Sequence, residues 1–443
     1  MKKIIKSLSL IFCLLLLVSM LFACEKRTPA TVIIEPAEEE TELELEEISN
    51  LSNYTTEVPY GQEIKVENQG EDGACWAYAT CATLEYTLAK DEVYDFSEDH
   101  MLKNNGFGLS VEDGGDYTMS MGYLTSWKGP VLEADDPNGD DETNTLAEDA
   151  VHVQEIQIAT DKDYEEIKKM IYNYGAVESA IYIALGENDT IDLTYYNESK
   201  CSYCYTDGST ANHEVAIIGW DDDYPMENFN TGATRNGAFV CVNSWGSEFG
   251  NRGIFYVSYD DSLIGTMAVA YTKIESTDNY NNIYQNDECG WIGRSGFGTS
   301  TAYFANVYTA IGNENLKAVG FYATGPSSTY KVYVCDNYSN ESSLNINGRV
   351  YAEGTLENAG YYTINLEDAI PLQIGCRYAV IVEINTPGEV HPVAVEMQPS
   401  DGRETEITTL GKESLISADG RNWENTQGSS ESNVCLKAYT NDQ

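Results

Sequence analysis

Asn68-Gln69-Gly70-Glu71-Asp72-Gly73-Ala74-Cys75-Trp76-Ala77-Tyr78-Ala79 sets a cysteine between a glycine-rich turn and a run that reads as helix. Gly70 and Gly73 let the backbone turn tightly and leave N–H groups open. The run from Cys75 to about Lys90 is rich in small residues, among them Ala77, Ala79, Ala82 and Ala89. A cysteine at a helix N-terminus lies at the positive end of the helix dipole, which favours the thiolate. Cys75 is therefore expected to be a nucleophile, and it needs a base.

The chain offers four histidines: His100, His152, His213 and His391. His213 opens His213-Glu214-Val215-Ala216-Ile217-Ile218-Gly219-Trp220, a strand pattern between a turn and a buried sheet. His213, Val215 and Ile217 share one face of that strand. His100 and His152 stand in polar settings without such a pattern, and His391 belongs to the second half of the chain. An imidazole base needs its other nitrogen fixed by a third group. Val242-Asn243-Ser244-Trp245-Gly246 ends the next strand pattern, so Asn243 can orient the ring and Trp245 can shield that bond from water. Gln69 can offer an amide N–H to a developing oxyanion beside the backbone N–H of Cys75.

Gln69-Gly70-x-x-Gly73-x-Cys75-Trp76-Ala77-Tyr78, Asn212-His213-x-Val215 and Asn243-Ser244-Trp245-Gly246 together resemble the papain family of cysteine peptidases. Ser97-Glu98 resembles that family's Leu-Ser-Glu signature, Gly114-Gly115 its paired glycines, and Gly250-x-x-Gly253 its Trp-Gly-x-x-Gly tail, with Phe249 in place of the tryptophan. The resemblance spans roughly residues 58–271. It implies an α+β fold in two lobes, one helical and one β, with the cleft between them. It also implies Cys75 as nucleophile, His213 as base and acid, Asn243 as its orienting partner and Gln69 in the oxyanion hole. Gly114 and Gly115, with Gly73 and Trp245, would line the substrate cleft. Two features depart from the family pattern. Asp72 and Glu112 stand where a disulfide often joins the loops, so both halves of that bridge are missing. No long helical propeptide has a counterpart.

Around this core the chain of 443 residues has room for two folded domains and a leader. Lys2, Lys3 and Lys6 precede an apolar run from about Leu8 to Phe22, an export signal too short to span a membrane as a stable helix. Leu21-Phe22-Ala23-Cys24 resembles a bacterial lipobox, which implies lipidation at Cys24 and a leader of residues 1–24. Residues 25–53 are rich in glutamate and read as an acidic tether. A mixed pattern over 54–278 gives the peptidase-like domain. From 279 to 443, Gly, Ser, Asn and Tyr dominate and short strand patterns alternate with turns, as in a β-sandwich of jelly-roll type. Leu316–Thr324, Thr329–Cys335, Gly360–Leu366 and Cys376–Ile384 are the clearest of these. The chain resembles clostridial surface peptidases that join a papain-like domain to a lectin-like sandwich, which implies a surface protein or glycan as second partner.

Acidic residues outnumber basic ones by 72 to 25, for a net charge of −47, which excludes nucleic-acid binding. Eleven cysteines leave eight once Cys13, Cys24 and Cys75 are set aside, and export permits disulfides among them. Cys201-x-x-Cys204 lacks a second pair for zinc, and Asp136-x-Asn138-x-Asp140-x-Glu142 lacks the glycine and the twelfth-position glutamate of a calcium loop. Cys-His chemistry needs no cofactor. The sequence thus points to an extracellular, membrane-anchored endopeptidase acting on proteins or peptides. An adhesin on an inactive scaffold, or an acyl-transferring relative, are the readings from other classes.

Overall fold

A computed structural model describes residues 48–139, 142–186, 190–208, 210–399, 405, 407–409 and 411–443. The leader with Cys24, the tether up to residue 47 and Asp140 lie outside the described residues. The helical lobe is built on α1, Cys75–Leu88, buried along almost its whole length. Its alanines and Cys81 let neighbours approach closely, and its N-cap, Ala74, contributes no side-chain hydrogen bond. The Ala77 and Tyr78 N–H groups return to the Ala74 carbonyl at 3.0 and 3.3 Å. The helix stops two residues short of Lys90, where Asp91 and Glu92 N–H both return to the Leu88 carbonyl. In α2, Glu98–Asn104, Ser97 caps the first turn by accepting from His100 N–H. In α3, Tyr117–Thr125, Asp116 does the same for Thr118 N–H.

The β lobe contains β1 (His152–Thr160), α4 (Tyr164–Tyr174), β2 (Val177–Ile181), β3 (His213–Asp221), β4 (Ala238–Val242), β5 (Ile254–Ser258) and β6 (Met267–Glu275). These strands lie in the order β1-β6-β2-β3-β4-β5, all antiparallel neighbours. Asp163 caps α4, as the Asp161–Ile167 pattern predicts, and α4 buries Ile167, Met170 and Ile171. That face packs with Val177, Ile181, Val215, Ile217 and Phe239. The other face of β3 turns Ala216 and Ile218 toward Tyr86 and Ala89 at the end of α1. Alternation along β3 thus joins the lobes while holding His213 at its first position. Each buried Val or Ile contributes about 1.5–3 kcal/mol.

The second half is a two-layer sandwich of β7 (Thr301–Thr309), β8 (Glu314–Ala323), β9 (Ser328–Cys335), β10 (Ala359–Leu372), β11 (Arg377–Asn385), β12 (Ser414–Ser417) and β13 (Leu436–Asp442). One layer runs β9-β11-β7-β12 and the other β13-β8-β10. Phe304, Phe321, Val332, Val380, Val382 and Leu436 fill the space between them. The second layer does not end at its own edge. Ala359–Tyr362 of β10 pairs antiparallel with Glu155–Ile158 of β1, so one sheet runs through both halves.

The structure settles the surroundings of three features of the sequence. His100 and His152 have polar partners, as their settings suggest, and both are buried. His100 Nδ1 lies 2.7 Å from the Tyr123 hydroxyl, and the His152 ring stacks on Trp127 with centroids 3.8 Å apart. Among the described residues every cysteine is a free thiol, Cys201 and Cys204 included. Asp136 is buried and accepts from Thr143 Oγ1 and Asn144 N–H, so its carboxylate ties the acidic loop down from within.

Candidate active site

The loop before α1 is fixed by its backbone. Gln69 N–H donates to the Ser244 carbonyl at 2.8 Å, and Gly246 N–H to Glu67 O at 2.9 Å. Asn68 and Trp245 form a bridge, so the loop and the Asn243–Gly246 turn are laced together. On the other side Gly73 N–H donates to Val111 O at 2.9 Å. These contacts supply the rigidity that a bridge between positions 72 and 112 would otherwise give. Gly73 has no room for more: a Cβ there would lie 2.9 Å from Gly114 N. At Gly115 a Cβ would stand 2.5 Å from Trp76 Nε1. Gly114 has φ +77, a left-handed backbone that glycine adopts without strain.

His213 and Asn243 meet. His213 Nε2 is 2.7 Å from Asn243 Oδ1, and both side chains are buried. Ser244 N–H also donates to Asn243 Oδ1, which identifies that atom as the oxygen. Nε2 therefore carries the hydrogen and Nδ1 holds the lone pair. The Trp245 ring lies 5.2 Å from the imidazole, and Phe249 meets Trp245 edge-on at 5.0 Å. Cys75 is close to the start of β3, since the backbone N–H of Glu214, like that of Trp76, acts on its thiol.

Gln69 differs from expectation in part. Its Nε2 donates to the Asp72 carbonyl at 2.7 Å, and its Oε1 accepts from the Ser244 hydroxyl. One amide hydrogen is thereby committed within the loop and the other remains for a ligand. An open cleft of about 800 Å³ runs past Gln69, Asp72, Ile183, Asn212, His213 and Trp245. Gly114 and Gly115 stand against Gly73 and Trp76.

Residues 59–275 match the papain family cysteine proteases, and residues 283–440 match the lectin like domain family. The chain joins a papain-family cysteine protease domain to a lectin-like domain. The viral cathepsin of Epiphyas postvittana nucleopolyhedrovirus is 28% identical over 212 residues, covering 46% of this chain and 59% of the relative. The viral cathepsin of Choristoneura fumiferana defective polyhedrosis virus is 27% identical over 209 residues, 45% of this chain and 57% of that protein. The chain thus spans less than two thirds of these curated relatives. Among solved structures, the clostridial cysteine protease Cwp84 after propeptide cleavage aligns with a TM-score of 0.77 at 27% identity, covering 89% of this chain and all of that one. A second structure, of the cysteine protease and lectin-like domains of Cwp84 from Clostridium difficile, has a TM-score of 0.74 at 24% identity, over 94% of this chain and all of that one, and shares the fold.

Within the protease domain burial and hydrogen bonding act on the catalytic thiol and imidazole in opposite directions. Burial pushes the Cys75 thiol up, against the pull of the Glu214 and Trp76 N–H groups. Burial also pushes His213 down to about 4, with the Asn243 contact opposing it. Desolvation is the largest influence on both groups, and it opposes the helix N-terminus at Cys75 and the Asn243 contact at His213. Glu178 and Glu214 are functional candidates that the sequence pattern did not single out beyond His213. The alternation of β3 carries the missing signal: a glutamate after the histidine must point at α1, into the core.

Proposed function

We propose that the chain is an exported cysteine endopeptidase, held at the outer membrane face by a lipid on Cys24. The acidic stretch 25–53 is its tether, 54–278 the peptidase and 279–443 a domain for surface protein or glycan. The observation that carries this reading is the 2.7 Å His213–Asn243 contact, on the strand whose Glu214 N–H acts on the Cys75 thiol.

In the proposed reaction the Cys75 proton passes to His213 Nδ1 as sulfur attacks the scissile carbonyl. The oxyanion lies between the Cys75 N–H and the remaining amide hydrogen of Gln69. Asn243 keeps the imidazolium aligned while it returns the proton to the leaving amine, and a thioester remains. Water, deprotonated by His213, then releases the acid and restores the thiol. Gly114 and Gly115 expose backbone to pair with an extended substrate, Gly73 lines the cleft beside them, and Trp245 screens the His213–Asn243 bond. Cwp84 is a surface layer associated protein, which supports a cell-surface location for this chain. The lectin-like match supports carbohydrate as the second ligand.

The test is hydrolysis of casein and a peptide library by the form lacking residues 1–24, with Cys75→Ala as control. Turnover that Cys75→Ala abolishes, with an epoxide thiol inhibitor labelling Cys75 alone, is the expected result. No Cys75-dependent turnover and no labelling would sink the reading.

A further inference from the structure

Two carboxyls face each other behind the nucleophile, and the reaction above uses neither. Glu178 on β2 lies opposite Ala216 of β3, and Glu214 lies opposite Ala180, so the two glutamates are diagonal neighbours on one sheet face. Long side chains at such positions reach each other. Glu178 is 0% exposed and Glu214 6%. Tyr271 hydroxyl donates to Glu178 Oε2 at 3.1 Å, and Thr80 Oγ1 lies 2.9 Å from the same oxygen and 2.6 Å from Ser120 Oγ. Glu178 Oε1 and Glu214 Oε2 are buried without an ordinary donor. Two carboxylates cannot both be ionised in such a place, and one proton held between them satisfies both orphaned oxygens. The hydroxyls converge on Glu178, so the charge rests there and the proton on Glu214.

We propose that Glu178 and Glu214 form a proton-sharing pair whose single negative charge, held behind Cys75, restrains ionisation of the nucleophile; this rests on the peptidase reading. Glu178 and Glu214 are positioning residues in this scheme, since neither reaches the cleft. Glu214 is also close to the nucleophile along the backbone, because its N–H acts on the Cys75 thiol. The other titratable groups facing the pair are Cys75 and Cys81 from α1, Asp116 and Tyr117 at the start of α3, and Tyr271 from β6. Arg294 acts at Tyr117. The charge on Glu178 opposes the Cys75 thiolate, and burial of the thiol acts in the same sense.

The test follows the pH dependence of Cys75 alkylation by iodoacetamide, read by mass spectrometry on the Cys75 peptide, in the full folded chain. Glu178→Gln removes the charge, and its midpoint is expected to fall by about half a pH unit, which is roughly threefold faster alkylation below the midpoint. Glu214→Gln leaves the charge on Glu178, so its midpoint stays within about 0.2 unit of wild type. Tyr271→Phe weakens the anion and moves the midpoint down by less than Glu178→Gln does. It also decides the matter if Glu178→Gln does not fold. Equal shifts in Glu178→Gln and Glu214→Gln, or no shift in Glu178→Gln and Tyr271→Phe, would overturn the pair. Absent peptide hydrolysis with an intact wild-type alkylation curve would instead strike the peptidase reading.

Discussion

At His213 burial and hydrogen bonding pull in opposite directions, and the outcome has a pH signature. The ring is buried, and its ordinary value near 6.5 drops to about 4 in the fold. The unfolded chain therefore binds a proton that the folded chain refuses across that interval. Stability must fall as pH drops from about 6.5 to 4, by about 3 kcal/mol at the lower end. His213→Gln removes this contribution, so its urea midpoint should decline less than that of wild type over the same range; parallel declines would contradict the assignment. Asn243→Ala frees the ring to rotate and leaves Nε2–H without its acceptor. Its kcat/KM should fall roughly 100-fold, the low end of what general acid–base catalysis contributes. The residues of this site were legible because Cys75, His213 and Asn243 each sit in a local pattern of turn, strand and small residues. The burial that works against the helix dipole at Cys75 was not legible, because burial is a tertiary property that no local pattern reports. Glu214 was legible only through the alternation of β3, and the packing of α1 on that face completes its burial.

Among the elements, α1 and the glycine loops behave as their chemistry requires, and the loop geometry is testable. A methyl group on Gly115 would meet Trp76 Nε1 at 2.5 Å and Met119 Sδ at 2.8 Å. Neither partner can withdraw easily, since Trp76 is 2% and Met119 1% exposed. Gly115→Ala should cost about 1–3 kcal/mol in thermal unfolding, as overpacking does; an unchanged midpoint would mean that the loop yields. The capped helices α2 and α4 and strands β2 to β5 were readable because Ser97, Asp163 and the period-two runs are local signals. Strand β1 was not. Its sequence, His152-Val153-Gln154-Glu155-Ile156-Gln157, reads as solvated. Gln154 Oε1 in fact accepts from Thr363 at 2.6 Å, and Gln157 Oε1 from Asn358 at 3.0 Å. Partners some 200 residues away satisfy those polar groups, and no window of sequence contains them.

For the molecule as a whole, that strand makes the two domains one structure. The expectation of a peptidase followed by a separate sandwich captures the order of the parts but not their junction. Besides the β1–β10 pairing, Trp127 of the helical lobe stacks between His152 and Tyr439, and Thr125 Oγ1 lies 3.0 Å from the Tyr322 hydroxyl. Removing the lectin-like domain would strip four residues of β1, Glu155–Ile158, of their strand partners and leave an open edge. At about 1 kcal/mol per lost hydrogen bond, a chain ending at residue 278 should lose roughly 3 kcal/mol, or about 6–12 °C in thermal midpoint. Its exposed edge should also drive self-association. Sedimentation velocity and thermal unfolding of the two forms measure both effects. A monomeric short form with an unchanged midpoint would mean that the shared sheet adds nothing to peptidase stability. Loss on both counts would mean that the lectin-like domain is a structural part of the peptidase, and that its ligands are held at a fixed orientation to the cleft.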